Sequence, residues 1–210
     1  MVMKRFATLF FLALFILGGC ASGPRQPILN EVPEYGHQPK SPEQEKADQE
    51  FLAIAQKHPD AADQMINAGW AFIQRGDILS AVKRFNQAWL IDSTRWEVYW
   101  GFAVTEGKQE KFESCKHYYE KALRLGGDTK ILNPEYAITL REIAKAENNS
   151  EKLAEADNLF KSEIEAGNEK AACIYAYQLF RDNRKIEVCE IMATSCKSDR
   201  DNLKKRAGCE

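Results

Sequence analysis

The chain has 210 residues, 29 basic against 31 acidic side chains, a formal charge of −2 and 44% hydrophobic residues. That length supports one domain with a real core. The faintly acidic balance, without a basic block, excludes the electrostatic footprint of a nucleic-acid-binding protein. With 12 glycines and 7 prolines, the composition fits a soluble globular domain rather than a collagenous or low-complexity one.

In chain order, Lys4 and Arg5 form a short positive start, and Phe6 to Leu17 is almost wholly apolar. About a dozen apolar residues are too few for a spanning helix, which needs roughly 20. A positive start, a short apolar run and small residues at its end describe an export signal. Leu17-Gly18-Gly19-Cys20 resembles the bacterial lipobox. That resemblance implies removal of residues 1–19 as a lipoprotein signal peptide and acylation of Cys20. Two or three acyl chains would give a lasting anchor, where one would not. Ala21 follows where inner-membrane retention would ask for aspartate, so the expected location is the outer membrane, facing the periplasm.

Residues 20–42 read as a lipidated cysteine followed by a flexible tether. Pro24, Pro27, Pro33, Pro39 and Pro42 fall here with few large apolar side chains, a composition unable to offset its own ordering entropy. At about 3.1 Å per residue such a tether would reach roughly 70 Å.

After Pro42 the pattern is helical almost to the end. In "MINAGWAFIQRGDILSAVKRFNQAW" the key residues are Met65, Ala68-Gly69, Phe72, Ala81, Phe85 and Ala88; thirty-four residues on stand Tyr99, Phe102-Ala103, Glu106, Cys115, Tyr119 and Ala122. Small residues where two antiparallel helices touch, with aromatics filling the space beside them, resemble the tetratricopeptide repeat, and Glu106 is the poor fit. The resemblance implies an all-α, tetratricopeptide-like solenoid of α-hairpins, about three to four repeats over residues 61–198. Residues 43–60, with Ala47, Phe51 and Ile54 in register, are expected to form an N-terminal capping helix. Downstream, Asn133-Pro134 is expected to open a first helix carrying Tyr136-Ala137 and Leu140. Its partner, with Ala156, Phe160 and Glu163, comes seven residues late around "ENNSE", two turns that keep the same faces inward. A degenerate fourth unit holds Cys173, Ala176-Tyr177, Phe180, Cys189, Ala193 and Cys196.

Export permits disulfides. Cys115 takes a small buried position and is expected to stay reduced. Cys173, Cys189, Cys196 and Cys209 crowd the C-terminal end, which has no neighbouring repeat to cover it. Cys189 and Cys196, seven apart on one predicted helix, lie about 10 Å apart along it, too far to bridge. Two schemes survive: Cys173–Cys196 with Cys189–Cys209, which is preferred, and Cys173–Cys189 with Cys196–Cys209. Either would staple the last repeat and tether the tail, residues 199–210.

No catalytic or phosphate-binding motif occurs, His37, His58 and His117 are scattered, and no C-x2-C suggests a metal, so no enzyme, cofactor, metal or small-molecule substrate is expected. The tetratricopeptide resemblance implies a concave groove lined by the first helix of each repeat and a protein partner within it. The positions are Ile66, Trp70 and Ile73, then Trp100, Val104 and Lys108, then Ile138 and Arg141, with Gln178 and Arg181 last. The alternative for Trp70 and Trp100 is packing against the neighbouring helix. The function implied is an envelope scaffold or adaptor, with a structural or immunity-type lipoprotein as the alternative and an enzyme assembled across repeats as a remote third.

Overall fold

The computed structural model describes residues 28–198 and 202–209. The lipobox and Cys20 lie outside them. Among the described residues ten α-helices follow one another: α1 (Pro42–Ala55), α2 (Ala61–Gln74), α3 (Ile78–Ile91), α4 (Trp96–Lys108), α5 (Phe112–Arg124), α6 (Thr129–Ala146), α7 (Ser150–Glu165), α8 (Glu169–Arg181), α9 (Lys185–Thr194) and α10 (Leu203–Ala207). Helices α2/α3, α4/α5, α6/α7 and α8/α9 form four antiparallel hairpins; each hairpin packs on the next through α3–α4, α5–α6 and α7–α8. The architecture is an all-α, tetratricopeptide-like stack.

Caps and turns set the hairpins locally. The side chains of Ser41, Asp77, Asp128, Asn149 and Asn168 each accept a bond from an early helical N–H, satisfying donors that a helix start otherwise leaves orphaned. The turn from α2 to α3 passes through left-handed backbone at Gly76; the equivalent residue thirty-four positions on, Glu110, adopts the same conformation with φ 60°.

The small residues have a sharper role than helix contact alone. The ring of Phe85, fully buried on α3, lies against Gly69 of α2 and Gly101 of α4. A Cβ on Gly69 would come within 2.7 Å of the ring, and one on Gly101 closer still. Phe85 is therefore the key that locks the first hairpin to the second, and Ala81 beside it is fully buried. Glu106, the misfit of the repeat, is buried, with the Lys111 Nζ 3.5 Å from its carboxylate.

Helix α6 begins at Thr129, not at Asn133-Pro134, so Pro134 sits inside it. An interior proline deprives the carbonyl four residues earlier of its donor. That carbonyl, Lys130 O, instead accepts a bond of 2.9 Å from Asn168 Nδ2 at the start of α8. The insertion expected around "ENNSE" is taken up as length, with 18 residues in α6 and 16 in α7.

Residues 28–40 correct the expectation of a free tether over 20–42. Two short 3-10 turns, Leu29–Glu31 and Pro33–His37, form a strap packed on α3. Asn86 Nδ2 donates to the carbonyls of Asn30 (3.1 Å) and Val32 (2.9 Å). Glu31 pairs with Lys83 at 3.0 Å and Glu34 with Lys121 of α5 at 2.7 Å. Tyr35 is 3% exposed, beside the Trp89 ring. The strap thus lies in the furrow between two second helices. The capping helix ends at Ala55, five residues short of 60, and its packing is against α3.

At the other end Cys173 is bonded to Cys196 and Cys189 to Cys209, with Cα–Cα separations of 4.9 and 5.3 Å. Cys196 lies two residues beyond α9 rather than on it. Helix α10 folds back so that Leu203 and Ala207 are buried in the C-terminal core.

Candidate functional site

The first helices α2, α4, α6 and α8 carry a continuous row of side chains. Trp70 on α2 meets Trp100 on α4 with ring centroids 4.3 Å apart, and Trp96 stacks on Trp100 at 5.9 Å. Trp100 Nε1 donates to Glu135 Oε2 on α6 at 2.7 Å, and Lys170 Nζ of α8 lies 3.5 Å from the other Glu135 oxygen. Glu135 also accepts from Tyr119 Oη at 3.1 Å. Burial and the adjacent Glu135 charge hold the Tyr119 phenol well above its usual range, so it stays a donor.

Lys170 leads into a cleft of about 830 Å³ between α6, α8 and the C-terminal segment. Ile138, Ile174, Met192 and Leu203 supply apolar wall, the Cys173–Cys196 bridge closes one side, and Tyr177 is 41% exposed. The cleft exists because α10 and the two disulfides hold the chain end beside α8.

The expected groove residues separate into three groups. Trp70, Trp100, Ile73 and Val104 are half-buried, and the two tryptophans pack on the N-terminal core. Ile138 lines the cleft, while Lys108 and Arg181 are exposed. Ile66 is core at 6% exposure, and Gln178, although it borders the cleft, is 5% exposed.

Arg141 is a correction. It is fully buried, paired with Asp157 of α7 and Asp182 beyond α8, and cannot face a groove. Its register position explains why. The equivalent residue one repeat earlier, Gly107, faces Cys115 of α5, so this position points into the hairpin. Lys145 pairs with Asp182 at 2.7 Å and Arg184 with Asp157 at 2.6 Å, extending the cluster to the surface. Sequence reasoning missed Trp96, Glu135, Lys170, Ile174 and Tyr177; Trp96 and Tyr177 were readable as aromatics one turn from residues already chosen.

Among the described residues no group of three His, Cys, Asp or Glu side chains is placed to hold a metal ion, and no helix is long and apolar enough to cross a membrane. Neither a family model nor a curated relative matches the sequence. Among solved structures the chain is similar to the crystal structure of YrrB, described as a TPR protein with an unusual peptide-binding site. Identity is 19% and the TM-score 0.47, over 75% of this chain and 80% of that one.

Proposed function

We propose that this chain is a lipid-anchored scaffold of the bacterial envelope that holds a protein segment along the face of its first helices. The observation that carries the reading is the row Trp70, Trp100, Glu135 and Lys170, which crosses all four hairpins and ends at the cleft beside Tyr177. A row of aromatic rings with charges beside it suits an elongated polypeptide, since aromatic anchors dominate protein interfaces and polar neighbours fix orientation. The row spans separate hairpins, so its ligand is long rather than compact. Binding suits the surface better than catalysis, because no nucleophile, base and orienting group converge on it.

The anchor belongs to the same proposal. Acylation of Cys20 would place the domain at the periplasmic face of the outer membrane, where disulfides such as Cys173–Cys196 persist. Two measurements test the two halves. Mass spectrometry of the mature N-terminus should find a diacylated cysteine, and an unmodified one contradicts the anchor. Affinity capture from crosslinked envelopes should recover one recurrent protein with the native chain and lose it with a folded Trp70→Ala/Trp100→Ala variant. Equal recovery by both contradicts the groove.

A further inference from the structure

Helix α8 presents three side chains of one face to the cleft: Lys170, Ile174 and Gln178, each four residues after the last. The outer two are donors. Gln178 is 5% exposed, and its Oε1 accepts from Arg181 Nη1 at 3.4 Å. Among the described residues its Nε2 meets no acceptor. Amide hydrogens taken out of water without a partner cost free energy, and native structures seldom keep them so. Here they line a cleft, where an entering acceptor can take them. The Lys170 side chain is 56% exposed and its contact with Glu135 is long at 3.5 Å, which leaves donors of the ammonium group to spare. The nearby Glu169 does not compete for it, because its Oε1 accepts the Lys197 and Ser198 N–H groups at 3.0 Å each. Between the two donors Ile174 offers only apolar surface, and Met192 and Leu203 add to the same wall.

The spacing names the conformation of what enters. A helical rise of 1.5 Å per residue puts Ile174 about 6 Å along the axis from either donor. An extended chain advances about 3.3 Å per residue and turns alternate side chains to one face, so its residues i and i+2 stand about 6.6 Å apart on that face. We propose that the cleft reads an extended partner segment in which an Asp or Glu stands two positions from a bulky apolar residue. The carboxylate meets Lys170, the apolar side chain fills the cleft against Ile174, and a backbone carbonyl beyond it accepts from Gln178 Nε2. A helical ligand would match the 6 Å spacing, but its carbonyls are committed to its own hydrogen bonds and would leave Gln178 unserved. The inference rests on the protein-binding role proposed above for the first-helix face, and it states which kind of segment ends there.

The test selects binders from a random peptide library displayed on phage, against the full-length chain in nonionic detergent with its disulfides intact. Selected peptides should carry Asp or Glu two positions from Phe, Leu, Ile, Met or Trp. Fluorescence polarisation then measures the best peptide on variants checked by circular dichroism. Lys170→Glu should weaken it by about tenfold, and exchanging the peptide's acidic residue for lysine should restore binding to that variant while losing it on the native chain. Gln178→Met, similar in length and without a donor, should weaken binding by about fivefold. Selected peptides with a basic residue in place of the acid, or with the two residues four apart as a helix presents them, overturn the inference. So does an affinity unchanged by Lys170→Glu; if the same peptide is lost with Trp70→Ala/Trp100→Ala, the first-helix groove stands without this cleft. A library that yields no binder overturns the groove and the inference together.

Discussion

Asn168 and Lys130 are joined across the third and fourth hairpins by a single side-chain bond: Asn168 Nδ2 reaches the Lys130 carbonyl at 2.9 Å. The same amide donates to Glu163 Oε2 at 3.0 Å, and Asn168 Oδ1 caps α8 by accepting from the Ala171 N–H at 3.1 Å. Asn133 holds the other Glu163 oxygen at 2.7 Å. One asparagine thus caps a helix, repairs the gap left by Pro134 and binds three helices together.

Asn168→Ala should therefore cost more than an ordinary cap. Loss of the cap is worth about 1 kcal/mol, and the net loss of the bonds that Asn168 donates to Lys130 O and Glu163 adds about 1 kcal/mol more. Denaturant unfolding should show a destabilisation of about 2 kcal/mol, with Asn168→Asp recovering only the cap.

At the α4–α5 turn the repeat asks for glycine and finds Glu110 at φ 60°. A side chain in left-handed backbone carries a penalty of roughly 1–2 kcal/mol that glycine avoids. Glu110→Gly should raise stability by about 1 kcal/mol after the entropy of a freer unfolded chain is subtracted. A lowered denaturation midpoint would refute it.

Arg141 illustrates a buried charge that matters chiefly when its partners are left behind. Arg141→Met removes one of the two cationic partners from each of Asp157 and Asp182 and should destabilise by about 3 kcal/mol. Arg184 and Lys145 keep one bond to each carboxylate. Adding Asp157→Leu and Asp182→Leu should recover most of that loss in thermal unfolding.

Burial pushes the Cys115 thiol up to about 11 from 9.0, beside Thr139 Oγ1 at 3.2 Å. The folded chain keeps a proton that the unfolded chain releases, so stability falls as pH rises from about 9 to about 11 and is unaffected by this group below that window. Measured against Cys115→Ala, the native chain should lose about 1–3 kcal/mol across those pH values. Iodoacetamide should label Cys115 only on unfolding.

The hairpins were legible because Phe85, Ala81 and Gly69 recur thirty-four residues on as Tyr119, Cys115 and Ala103, and periodic burial is a property of the local sequence. The strap was not. "NEVPEYGH" has no hydrophobic periodicity of its own, and what holds it are distant partners, Asn86, Lys83, Lys121 and the Trp89 ring beside Tyr35. The one local hint was Asn86, a polar residue wedged beside Phe85 on a helix that is otherwise buried there. On the first-helix face, the ring contact of Trp70 with Trp100 follows from their register in adjacent repeats. Arg141 was not legible, because register gives a position on a helix and not the carboxylates of Asp157 and Asp182 that draw the side chain inward. The Tyr177 cleft depends on α10 returning past α8, which spacing alone does not encode.

The central claim is that the first-helix face receives a protein segment. The most direct measurement is a crosslink map in intact cells, with a photoreactive amino acid placed singly at Asn67 and Tyr177 on the first helices and at His117 and Glu155 on the second, all exposed. The account predicts one protein adduct of the same mass from Asn67 and Tyr177 and none from His117 or Glu155. Adducts only from the second-helix positions would contradict it.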